Sequence, residues 1–73
     1  MHPFPVGTKV KTNESYFKKF GRRVIGTSVP MNPLPPNEIT IVRWEHQEGN
    51  IVPEHLGNKV MMMSKDLEIY EIQ

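Results

Sequence analysis

The sequence predicts a mainly β domain: a small five- to six-stranded antiparallel, partly open barrel with at most one short helix near residues 14–20. Three observations carry this expectation. Residues 38–44, Glu-Ile-Thr-Ile-Val-Arg-Trp, place four β-branched residues and a Trp in seven positions, a composition suited to a pleated, part-buried surface. Similar short runs recur on both sides, separated by turns rich in Pro, Gly and Asn. With 73 residues and no Cys, the chain must hold one small core by packing alone, burying only about 60% of the surface its unfolded form exposes. Strands this short and twisted curl toward a barrel that covers its own edges.

The elements follow in order. Residues 1–5, Met-His-Pro-Phe-Pro, read as a frayed Pro-rich lead-in, and residues 6–73 as a single domain. From Val6 to Thr12 the residues alternate, with Val6, Thr8, Val10 and Thr12 on one face and Lys9 and Lys11 on the other, as in a half-buried strand. Asn13 to Gly21 is the helical candidate: Asn13 suits an N-cap, Glu14 the first turn, Lys18 and Lys19 the last, and Gly21 a left-handed stop. Tyr16 and Phe20, four apart, would share a face. The competing reading of this stretch is an ordered excursion pinned by its aromatic residues. Arg22 to Val29 reads as the second strand, with Gly26 marking a bulge or bend. Residues 30–37, Pro-Met-Asn-Pro-Leu-Pro-Pro-Asn, cannot sustain a hydrogen-bonded ladder and read as a stiff, extended loop. Glu38 to Trp44 is the central strand, with Val42 and Trp44 directed inward and Ile39 and Ile41 in need of a cover from the Tyr16–Phe20 region or from a partner. Glu48-Gly49-Asn50 reads as a turn, Ile51-Val52 as a short strand stopped by Pro53, and Glu54 to Gly57 as a single capped turn. Lys59 to Met63 and Leu67 to Ile72 complete the set. Met61-Met62-Met63 alternates in a strand, so at least one Met should face outward.

The first residues lack the basic start and apolar run of a signal peptide, and no stretch approaches the roughly 20 apolar residues that cross a bilayer. A soluble, cytoplasmic protein is expected. The net charge is +1, but its distribution is uneven: seven cations face two carboxylates through residue 43, and two cations face six carboxylates after it. Such asymmetry either pairs across the fold or directs one face toward an anionic partner.

Several pieces together resemble the Src-homology-3-like small barrels, a group that includes KOW and Tudor domains. They are Val6-Gly7-Thr8-Lys9-Val10-Lys11 opening the first strand, Gly26 in the second, Ile41-Val42-Arg43-Trp44 in the third and Asp66-Leu67-Glu68 opening the last. Glu14-Ser15-Tyr16-Phe17 is also similar to the small barrel-shaped accessory protein of photosystem I, although Phe20-Gly21-Arg22-Arg23 lengthens the spacing to the next Gly here. The resemblance implies a domain that binds or docks rather than catalyses. KOW-type members sit on RNA polymerase or ribosomes, and small phage-encoded modulators of transcription fall in this size range.

The residues themselves point the same way. His2, His46 and His55 fit no ligand spacing, so neither metal nor cofactor is expected. Ser15, Ser28 and Ser64 lie in no nucleophile elbow, and the glycines are too dispersed for a phosphate loop. The chain is therefore not expected to be an enzyme. Its expected partner is a macromolecule, a protein of the gene-expression machinery such as RNA polymerase or a ribosome-associated factor. The candidate contact residues are Tyr16, Phe17, Lys18, Lys19, Arg22, Arg23 and Arg43, a cationic set interleaved with aromatic anchors. A secondary apolar surface would comprise Ile39, Ile41 and Met62, and the chain is expected to be a monomer or a weak homodimer. Two alternatives stand beside this: nucleic-acid binding by the same cations and rings, and an accessory role in an electron-transfer complex, implied by the photosystem likeness.

Overall fold

The computed structural model describes residues 2–31 and 35–71. Along the chain run β1 (Lys9–Thr12), α1 (Glu14–Phe20), β2 (Arg22–Ser28), β3 (Ile39–Gly49), a 3-10 turn at Pro53–His55, β4 (Lys59–Met63), a second 3-10 turn at Ser64–Asp66 and β5 (Leu67–Ile69). The mainly β expectation holds: the five strands form one antiparallel sheet in the order β4-β3-β2-β1-β5, accompanied by a single short helix. No ladder joins β4 to β5 among the described residues, so the sheet is not closed by hydrogen bonds and both remain edge strands.

The strand faces follow the sequence alternation. Val10, Thr12, Val24, Val42 and Trp44 point to one side and are buried, while Lys9, Arg23 and Arg43 point to the other and are exposed. Val42 and Trp44 are thus directed inward, as expected. Gly26 sits at the bulge. Ile25 pairs with His46 and Gly26 with Trp44, leaving Glu45 as the extra residue of β3. A Cβ on Gly26 would stand 2.2 Å from the Arg43 carbonyl oxygen and 2.7 Å from a Val42 methyl, so close strand packing requires glycine here.

The core gathers Phe4, Val10, Tyr16, Val24, Val42, Trp44, Met62 and Leu67, with Val52 and Val60 packed against it. Phe4 is a departure from the frayed lead-in. The Ser28 hydroxyl donates to the Phe4 carbonyl (3.1 Å), the Phe4 N–H donates to His2 Nδ1 (3.1 Å), and His2 Nε2 lies 2.7 Å from the Ile39 carbonyl oxygen. Nε2 therefore ties the lead-in to β3 while Nδ1 folds the lead-in on itself, and Phe4 joins the core.

The elements differ from the sequence reading in several places. The first strand begins at Lys9 rather than Val6, because Gly7 takes a φ of 93° and its N–H closes onto the Ser28 carbonyl. The central strand continues five residues past Trp44 to Gly49, since β2 pairs with Glu48, Gln47 and His46 and supplies the stability their composition lacks. Ile51-Val52 forms no strand: the Gln47 side chain takes the place of one, donating to the Val52 carbonyl (3.1 Å) and accepting from its N–H (2.9 Å). The final strand stops at Ile69, while Ile72 and residues 32–34 of the Pro-rich loop lie outside the described residues.

Candidate functional site

Helix α1 forms because its ends are satisfied. Asn13 Oδ1 accepts from the Tyr16 N–H (3.1 Å), and Gly21, at φ 68°, closes the C-terminus by donating to the Phe17 carbonyl (2.7 Å). At two turns the helix needs packing to persist, and Tyr16 provides it by burying against the core. Asn13 also donates through Nδ2 to the Lys65 carbonyl (2.8 Å), fixing α1 to the second 3-10 turn.

Immediately after Gly21, β2 begins with two arginines whose side chains diverge to opposite faces. Arg22 lies on the side of the buried rings. Its guanidinium stands 5.5 Å from the Phe20 centroid, its Nη1 donates to Tyr16 Oη (3.3 Å) and its Nε to the Asn50 carbonyl (3.0 Å). Tyr16 and Phe20 share a face as expected, with centroids 4.6 Å apart. Arg23 goes the other way, stacking 4.0 Å from the Phe17 centroid while contacting Glu14 at 3.5 Å. Lys18 and Lys19 remain exposed on α1, with Lys19 at 3.9 Å from the buried Asp66 carboxylate.

The candidate contact residues thus separate into groups. Half-buried Phe17 and exposed Arg23 pack together at the head of β2, while Lys18 and Lys19 are exposed elsewhere around α1, Lys19 on the side of Asp66. Tyr16 is buried and Arg22 is half-buried, so these two build support rather than outer surface. Arg43 is exposed but lies opposite Thr27, five residues along β2 from Arg22, a separation of about 17 Å at strand rise. On the secondary surface, Met62 is buried, Ile41 is buried and Ile39 is half-buried. Met62 cannot be an outer contact because its strand parity turns it to the core; Met61 and Met63 take the outer face instead, 60% and 45% exposed. These two stand opposite Ile41 and Ile39 in the β3–β4 ladder, and Ile41 also lines cavities with Val29, Pro30 and Met31 rather than with the Tyr16–Phe20 region. Met61 and Met63 could have been found from the run of three methionines only once the register was known.

Ion pairs join the two oppositely charged halves at Lys9–Glu45 and Lys19–Asp66. The Glu45 carboxyl is held below its ordinary pKa, first by its hydrogen bond from Lys9, against a desolvation penalty, with help from the Thr27 hydroxyl and the charges of Lys9 and Arg43. A slot of about 240 Å³ opens between α1 and β4, lined by Tyr16, Phe20, Arg22, Trp44, His55, Val60 to Met63 and Asp66. Trp44 meets His55 edge-on, with centroids 4.7 Å apart. Among the described residues no group of three His, Asp or Glu side chains is arranged to hold a metal ion, and no helix is long and apolar enough to cross a membrane. What the surface offers chemically is cations on rings, apolar thioethers and an open strand edge.

Comparison with protein-family models, with curated proteins and with solved structures finds no match for this chain.

Proposed function

We propose that this chain is a non-enzymatic docking module that binds an acidic protein surface through Phe17, Lys18, Lys19 and Arg23. The observation that carries the reading is the Arg23–Phe17 stack at 4.0 Å, on a side chain that remains 52% exposed. An Arg laid on a ring is preorganised, so less side-chain freedom is lost when a partner carboxylate arrives, and Arg and aromatic residues dominate interface energetics. Nucleic-acid binding has less support: Arg23 covers one face of Phe17 and Tyr16 is buried, so few ring faces are left for stacking bases.

The strand order, with a 3-10 turn between β4 and β5, supports reading the open sheet as a partly open barrel of the Src-homology-3-like kind. That resemblance in turn supports a partner from the gene-expression machinery, RNA polymerase or a ribosome-associated factor.

The test is affinity capture from the source cells with the native chain and with Phe17→Ala, Arg23→Ala and Arg43→Ala. A specific partner lost with the first two variants and kept with the third is expected. Retention by Arg23→Ala, or capture of nucleic acid alone in about 50 mM salt, would remove the reading.

A further inference from the structure

The slot between α1 and β4 follows a strand edge. Four consecutive residues of β4, Val60 to Met63, line it. Side chains on one face would contribute only alternate positions, so consecutive lining places the slot against the edge itself. The hydrogen-bond register identifies what that edge presents. Trp44 bonds to Asn58 and Ser64 to Glu38 at the two ends of the β3–β4 ladder. By alternation, Val60 and Met62 exchange bonds with β3, while Lys59, Met61 and Met63 turn their N–H groups away from it. Since β4 ends the strand order, these groups have no strand partner among the described residues, and those of Met61 and Met63 belong to residues that line the slot.

We infer that this slot accepts an extended, acidic segment of a partner protein as an added strand on β4. The occupant is an isolated strand because the opposite wall carries Phe20 and Arg22, past which a second copy would have to bring a whole folded sheet. It is acidic because Arg22 has no carboxylate partner among the described residues, whereas the slot's one carboxylate, Asp66, already faces Lys19 at 3.9 Å. Trp44, 1% exposed, adds an indole N–H with no protein acceptor. Main-chain bonds to β4 supply affinity, and the apolar lining of Phe20, Val60 and Met62 selects the side chain that points in. The inference goes beyond the docking reading, because the slot is lined from the side of Tyr16 and Arg22 and includes neither Phe17 nor Arg23.

The test uses a capped peptide of alternating Val and Glu, with a Val-Lys peptide as control, followed by amide exchange and chemical shifts residue by residue. Saturable slowing of exchange at Met61 and Met63 by tenfold or more is expected, with roughly tenfold weaker binding of the Val-Lys peptide. Met61→Pro removes an outward N–H without breaking a bond to β3 and should abolish the protection. Arg22→Gln should weaken binding while leaving the strand edge intact, which keeps the test decisive if the proline variant does not fold. No protection at peptide concentrations of about 1 mM overturns the inference, as does protection that rises with protein concentration alone, which would identify a second copy as the occupant. Shifts confined to Phe17 and Arg23 overturn the strand-edge slot while sparing the docking face. Protection at Met61 and Met63 that survives Arg23→Ala supports the slot as a site separate from that face.

Discussion

Gly26 leaves no room for a side chain. Gly26→Ala drives a Cβ into the Arg43 carbonyl oxygen at 2.2 Å, and neither backbone can yield without disturbing the bulge. A loss of about 2–3 kcal/mol is expected, measured by urea unfolding against the native chain. Glu45, the extra residue at that bulge, gives a pH signature. Its folded pKa is depressed, so its contribution is present above the unfolded value and is lost as pH falls through the folded one. The ion pair is well exposed, with side-chain exposures of 43% and 36%, so the amount is at most about 0.5 kcal/mol. Glu45→Gln should therefore flatten the stability profile between about pH 5 and pH 3 while changing little at neutral pH. At this scale the sequence was readable in part. Gly26 is a recognisable strand breaker, but the partner that makes Glu45 matter, Lys9, lies 36 positions away and no local pattern connects them.

Helix α1 depends on its caps more than on its seven residues. Asn13→Ala removes both the hydrogen bond to Tyr16 and the tie to Lys65. A cost of about 1–2 kcal/mol is expected, with faster amide exchange across residues 14–20 preceding global unfolding. The caps were legible because capping is chemistry between near neighbours: Asn13, Glu14 and Gly21 state the helix within nine positions. The second half of β3 was not legible. Glu45 to Gly49 carry no strand composition and are held in register by β2. Ile51-Val52 misleads for the opposite reason, since its composition fits a strand while the Gln47 amide occupies its backbone. Gln47→Ala should release Val52, costing about 1 kcal/mol and accelerating exchange at the Val52 N–H. The contact face was legible as a charge-and-ring pattern around α1. Its division was not, because only the strand parity of β2 sends Arg22 toward the core side and Arg23 toward solvent.

For the molecule as a whole, the lead-in matters as much as any strand. Phe4 is buried in the main cluster, and in a chain this small one aromatic ring is a large fraction of the core. Phe4→Ala should cost about 3 kcal/mol and approach the limit of foldability, measured as the urea midpoint. The flanking prolines hid this role, because they mark a segment that cannot join a ladder without excluding it from packing. Closure was likewise beyond the sequence: propensity identifies strands, whereas whether the ends meet depends on the length and twist of β4 and β5 in space. The same burial has a practical consequence. Trp44 is the chain's only tryptophan, sealed in the interior and touching both His55 and the slot. Its fluorescence is therefore a native optical gauge, which should redden when the fold opens and change in intensity when something enters beside it, with no dye attached.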